Sequence, residues 1–250
     1  MNKENQVRTP SAALRSDSQL TIKHVILFDI DGTLVSSVRS EHDERQRYVL
    51  AVRDVTGKLV NVNPSRFAGM VDPQICGEIL SENGLSAQAL LPRVIERMGE
   101  IYRGMKKDVS LNVGVINLLH VLEASQTDVL GVLTGNVASV GEEKLSVAGV
   151  KLYITEKFYA DRYFDRSSLA RNAVEVCLNK YGLRDSKSVR VVGDTPLDIE
   201  AANSAGAKSI GIATGVYSTD FLCKAGADAV FSNLNPSKDL LTALESDTCT

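Results

Sequence analysis

One stretch of this chain limits the possible folds more than any other. Val25-Ile26-Leu27-Phe28 is an unbroken apolar run of strand type, and it ends in Asp29-Ile30-Asp31-Gly32-Thr33. A run without polar alternation fits a strand buried on both faces, as in a parallel sheet covered by helices. Open sheets of that kind keep their ligand sites at the carboxyl ends of the strands, where this run delivers two acids one residue apart. Carboxylates that close repel each other unless a cation or a shared proton offsets the charge. One acid can then serve as nucleophile or metal ligand and the other as proton donor. The bland alternative is a solvated turn, since Asp and Gly are common turn formers.

Two further runs end in the same manner and weigh against that alternative. Val189 to Val192 leads into Gly193-Asp194, with Asp198 one helical turn on, and Asp128 to Leu133 leads into Thr134-Gly135-Asn136. From Gly114 onward, apolar β-runs alternate with helical patterns. Helices are expected over 114–123, through 142–148, and over 167–181, 197–205, 219–225 and 236–244, with short strands over 208–213 and 229–231. Gly149 and Gly182 are placed as C-terminal helix stops. This alternation predicts an α/β fold with a Rossmann-like, doubly wound parallel sheet. Residues 36–111 break the rhythm: helical patterns fill 41–55, 72–81 and 86–107, and no strand run of comparable strength appears. The expected organisation is therefore a flexible tail over 1–20, a core formed by 21–35 and 112–245, and a helical insert over 36–111.

The ordered set Asp29-x-Asp31-Gly32-Thr33, Thr134-Gly135-Asn136 and Gly193-Asp194-x-x-x-Asp198 resembles the haloacid dehalogenase superfamily. The likeness is strongest to its phosphatases similar to phosphoglycolate phosphatase, and it covers the chain from about Ile22 to Leu240. The resemblance implies a phosphoryl-transfer site. Asp29 matches the nucleophile that forms an aspartyl-phosphate, and Asp31 the acid that protonates the departing oxygen and then activates water. Gly32 permits the tight turn at the phosphate site, and Thr33 is expected to fix that turn. A Mg²⁺ ion is expected between Asp29, Asp194 and the backbone carbonyl of Asp31, with Asp198 supporting the metal or its cationic neighbour. Thr134 matches the hydroxyl that binds the transferring group, helped by the N–H groups of Gly135 and Asn136. Members with an insert at this point carry a helical cap, so 36–111 is expected to close over the site. Arg66, with Gly69 and Asp72 in the loop before a cap helix, is the candidate substrate contact.

One departure concerns the cation. The family usually places a lysine, often followed by proline, upstream of the Gly-Asp motif, and this chain has none there. Lys157, Arg162, Arg166 and Arg171 are the candidates. Arg166 is preferred because it opens the expected helix 27 positions before Gly193, with Arg162 second. Other cap charges, Arg45, Arg47 and Arg53, read as a solvated helical face.

Composition narrows the partners. A net charge of −3 over 250 residues leaves no basic footprint for nucleic acid or an anionic membrane. No apolar run approaches the ~18 residues that span a bilayer, which argues against a transport ATPase with a related motif. Cys76, Cys177, Cys223 and Cys249 form no Cys-x-x-Cys pair, and His24, His42 and His120 have no metal spacing. They read as reduced thiols and structural histidines in a cytoplasmic protein. The expected activity is a Mg²⁺-dependent phosphatase of small phosphorylated metabolites, phosphoglycolate-like or sugar phosphates. Asp31 disfavours a dehalogenase or phosphonate hydrolase. A sugar-phosphate mutase shares every core residue named, and the missing lysine leaves open a weakly active binding or regulatory protein. Oligomeric state is not legible.

Overall fold

The computed structural model describes residues 21–36, 46–60, 67–105 and 109–246. The tail expected over 1–20, the cap arginines Arg45 and Arg66, His42 and Cys249 lie outside them. Six parallel strands form one sheet in the order β3-β2-β1-β4-β5-β6: β1 His24–Phe28, β2 Asp128–Leu133, β3 Glu156–Phe158, β4 Val189–Gly193, β5 Lys208–Ile212 and β6 Ala229–Phe231. The helices are α1 Gln46–Thr56, α2 Asp72–Glu82, α3 Ala87–Gly104, α4 Val115–Ser125, α5 Ala138–Val147, α6 Arg166–Tyr181, α7 Pro196–Ser204, α8 Thr219–Lys224 and α9 Lys238–Glu245. Strand β3 is absent from the sequence reading: Glu156-Lys157-Phe158 is three residues long, carries two charges and lies at the sheet edge.

The central strand shows why an all-apolar run is needed. Ile26 and Phe28 join the apolar layer under α4 and α9, while Val25 and Leu27 join the layer under α6 and α7. Both faces of β1 are therefore buried, as parallel sheets require. Phe28 lies opposite Val132 on one side and Val192 on the other. The next residues of the three strands, Asp29, Leu133 and Gly193, come level at the carboxyl edge. The chain moves outward from β1 in one direction through β2 and β3, then in the other through β4 to β6. That reversal opens a crevice at the head of β1.

Helices α1 to α3 form the inserted cap. Their own apolar core contains Tyr48, Val52, Ile79, Val94, Met98 and Tyr102, and it takes in Val137 and Val140 from the start of α5. The cap is thus packed on the core, and Gly99 approaches Ser139 so closely that a Cβ would collide with it. Arg47 corrects the sequence reading. It is only 4% exposed, and its guanidinium pairs with Asp72 at 3.1 Å and lies over the Tyr48 ring. Arg53 does face solvent, where it pairs with Asp54. No described helix is long and apolar enough to cross a membrane.

Candidate active site

Asp29, Asp194 and Asp198 are buried and offer carboxylate oxygens within 4.8 Å of one another. Asp29 and Asp194 are placed by strand ends, and Asp198 by the first turn of a helix. Asp29 follows β1 and its N–H donates to Val192 O, fixing it beside β4. Asp194 follows β4 in the extended connection to α7. Asp198 belongs to α7, where it forms a capping box: its carboxylate accepts from the Thr195 N–H at 2.9 Å, while Thr195 Oγ1 accepts from the Asp198 N–H. Gly193 carries no side chain because a Cβ there would overlap the Asp198 carboxyl.

The turn after Asp29 is held from three sides. Gly32 adopts φ +81°, a left-handed conformation that suits glycine, and a Cβ on it would run into the Asp194 carboxylate. Its carbonyl accepts from the Thr214 hydroxyl at 2.6 Å and from the Asn112 side-chain amide at 2.7 Å. Thr33 does more than fix the turn, since its hydroxyl donates to Asp194 at 3.1 Å. Gly215 closes the other side of Asp194, with no room for a Cβ beside that carboxylate. Asn112, Thr214 and Gly215 sit in loops without motif character, and sequence reasoning missed all three.

Arg166 reaches this cluster. Its Nη2 lies 2.9 Å from Asp29 Oδ1, contacts Asp198 Oδ1, and donates to the Leu133 carbonyl at 3.3 Å. Its Nη1 donates to the carbonyl of Gly69 in the cap. Helix α6 begins at Arg166 because the Asp165 side chain caps it, accepting from the Ser168 N–H at 2.7 Å. The other candidates lie elsewhere: Lys157 pairs with Glu142, Arg162 is exposed, and Arg171 bonds Ser168 and Ser204.

Thr134 is buried, and its Oγ1 accepts from the Asn136 N–H at 3.3 Å. Gly135 lies directly under the cap, where a Cβ would collide with the Met70 carbonyl, while its own carbonyl accepts from the Asp72 N–H. Asp72 also accepts from the Val137 N–H at 2.9 Å, so a cap carboxylate covers the start of α5. Of the cap loop singled out in the sequence, Gly69 and Asp72 therefore meet the core; Arg66 lies outside the described residues.

Asp31 stands apart from the three clustered acids. Lys144, from α5, donates to both of its oxygens at 2.6 Å. This lysine was also missed, although Val137, Val140 and Lys144 follow one helical stripe in which it takes a core position.

The charges divide the site into two parts. Burial pushes Asp29 up to about 6, against the pull of Arg166, with Asp198 and Asp31 adding repulsion. Burial raises Asp194 well above the usual carboxylate range, and Asp198 and Asp29 reinforce the rise. Burial also works against a charged Asp31, but the Lys144 ammonium and its hydrogen bonds, with Arg47 and the Asn136 amide, outweigh it and hold this carboxyl below the usual range. Asp29 Oδ1 and Asp198 Oδ1 are buried against the Arg166 guanidinium, and Asn136 Oδ1 is buried without a hydrogen-bond partner. Three buried carboxylates whose oxygens converge within 4.8 Å suit a hard divalent cation, so the residues present fit a metal site.

Solved structures share this architecture. A predicted phosphoglycolate phosphatase from Haemophilus somnus is 21% identical, with a TM-score of 0.65 over 88% of this chain and 97% of its own. CbbY from Rhodobacter sphaeroides, solved with phosphate, is 16% identical, with a TM-score of 0.64 over 86% and 96%. A β-phosphoglucomutase from Clostridium difficile is 13% identical, with a TM-score of 0.66 over 90% and 97%. At these identities the likeness speaks for the fold. None of the curated proteins matches the chain. The sequence itself matches the Haloacid dehalogenase-like hydrolase family over residues 26–212, a span that contains all three acid-bearing or hydroxyl-bearing strand ends, and the chain belongs to that family of enzymes.

Proposed function

We propose that the protein is a Mg²⁺-dependent phosphatase of small phosphomonoesters, working through an aspartyl-phosphate on Asp29. The observation that carries this reading is the Arg166 guanidinium set between Asp29 and Asp198, next to Asp194. A nucleophilic carboxylate, a phosphate-clamping cation and a metal-binding acid then share one water-poor corner, which is what phosphoryl transfer asks of a protein. Asp29 attacks phosphorus, Arg166 and Thr134 hold the equatorial oxygens, and Asp31 passes a proton from the bound ester monoanion to the leaving oxygen. After the alcohol departs, Asp31 takes a proton from the water that hydrolyses the acyl phosphate.

A Mg²⁺ ion would be held by Asp29, Asp194 and the Asp31 carbonyl, and it would neutralise charge on the phosphoryl oxygens. Asp198 is already engaged with Arg166 and its capping box, so its part is to anchor the cation. The cap loop pressed onto Gly135 supports a small substrate. The similar structures include a predicted phosphoglycolate phosphatase, which favours a phosphorylated metabolite of that size. Cys76 and Cys177 are buried free thiols, which supports a reducing, cytoplasmic setting.

The test is phosphate release from p-nitrophenyl phosphate and a panel of phosphorylated metabolites, with Mg²⁺ and with EDTA. Metal-dependent release that Asp29→Asn abolishes supports the reading. Transfer of phosphate between sugar positions without release would make the protein a mutase. No turnover of any ester with Mg²⁺ would overturn both.

A further inference from the structure

Lys144 has no exposed surface, which is unusual for lysine. A buried ammonium costs several kcal/mol unless an anion and good geometry offset it. Here the offset is Asp31, both of whose oxygens lie 2.6 Å from Nζ. The lysine reaches Asp31 because α5 packs tightly on the strand end: Gly141, one turn earlier, leaves no room for a Cβ against Tyr159 and lies close to Ile30. From above, the ring of Tyr102 in the cap helix α3 sits 5.6 Å from Nζ. Helix α5 begins immediately after the Thr134–Asn136 loop. Lys144 thus connects the acid to the phosphate-side helix under a cap side chain.

An aspartate in a turn can rotate about two side-chain bonds, whereas acid catalysis needs its oxygen within hydrogen-bond reach of the leaving atom. We propose that Lys144 is the positioning residue for Asp31: it fixes the carboxyl in one orientation toward the leaving oxygen and so sets how well esters with poor leaving groups are cleaved. This rests on the phosphatase reading above. In the transfer step a bond forms from an Asp29 oxygen to phosphorus as the phosphorus–ester oxygen bond breaks. The ester binds as its monoanion, its proton passes by way of the Asp31 carboxylate to that ester oxygen, the neutral alcohol leaves, and Asp31 remains a carboxylate. Lys144 stays an ammonium throughout and touches no substrate atom.

Two esters separate this role from general support of the fold. p-Nitrophenolate is a stable anion that leaves without a proton, whereas the alkoxide of 2-phenylethyl phosphate does not. Lys144→Met should lower kcat on the alkyl ester by about 100-fold and on p-nitrophenyl phosphate by less than about tenfold, with KM little changed on either. Lys144→Arg should recover most of the alkyl activity. If circular dichroism shows that Lys144→Met does not fold, the neutral Lys144→Gln carries the same comparison. Equal losses on the two esters, or no loss, would overturn the proposal while leaving the phosphatase reading intact. A wild-type protein idle on both esters with Mg²⁺ would overturn that reading and this proposal with it.

Discussion

The Nη2 atom of Arg166 lies 2.9 Å from Asp29 Oδ1, and the Nη1 atom of the same guanidinium donates to Gly69 O in the cap. One cation therefore touches the proposed nucleophile and the cap together. The carboxylates on either side raise its own pKa against the opposing effect of burial, so it stays charged at any working pH. Replacing it with alanine should remove the phosphate clamp and leave the acids without their cation. We expect Arg166→Ala to cost about 2–4 kcal/mol in kcat/KM on p-nitrophenyl phosphate, with partial recovery in Arg166→Lys. A loss below threefold in steady-state kinetics would remove Arg166 from the site's chemistry.

Asp29→Asn keeps the size and shape of the side chain but takes away the nucleophilic charge. Turnover should fall by several orders of magnitude while the far-UV spectrum is retained. The wild-type enzyme, quenched in acid during turnover, should carry one phosphoryl group that the variant lacks. Intact-mass spectrometry reads this directly.

The metal-free protein should lose stability as pH rises from 5 to 7. Asp29, ordinarily near 3.8, is pushed up to about 6 in the fold. A carboxyl raised in this way favours the folded state fully below pH ~4, and that contribution is lost as pH climbs through the folded-state value. Asp29 alone accounts for about 1–2 kcal/mol between pH 5 and pH 7, and Asp194, also raised, adds to it. Thermal melts in EDTA should show a lower Tm at pH 7 than at pH 5, and Mg²⁺ should remove the difference. A flat or rising Tm in EDTA would contradict the assignment of these two acids.

Gly215→Ala tests the shape of the cluster without touching any charge. The new methyl would occupy the place of Asp194 Oδ2, so the carboxylate must turn away. Because Gly215 lies in the loop between β5 and α8, the fold should survive. Mg²⁺ affinity by isothermal titration should fall by about 10–100-fold, the range seen when support around metal ligands is lost. Unchanged affinity would mean that Asp194 does not bind the ion.

What the sequence makes legible is what is local in it. Each acid motif stands at the end of an apolar run, so strand, turn and chemistry are read from ten consecutive residues. The expected helices likewise fall within a few residues of α4, α6, α7, α8 and α9. The remainder depends on partners far along the chain. The stripe of Val137, Val140 and Lys144 marks a core position, but nothing local names its partner Asp31, 113 positions earlier. Arg47 reads as a surface charge because Asp72 of α2 and Tyr102 of α3 become its neighbours only when the cap helices pack. Strand β3 carries no apolar signal, since β2 supplies its pairing and α6 its cover.

The cap's grip on the Thr134–Val137 segment has a thermodynamic consequence. Asp72 exchanges hydrogen bonds with Gly135 and Val137, and Gly69 takes one from Arg166. Raising the lid breaks these bonds on Arg166 and on the chain beside Thr134–Asn136, the groups proposed to hold a phosphoryl oxygen. Lid position and anion occupancy thus draw on shared partners, and linkage makes the dependence mutual. Whatever factor the closed lid contributes to phosphate affinity, bound phosphate returns to lid closure. Under the proposed function, release of inorganic phosphate and opening of the cap would be one equilibrium viewed from two sides.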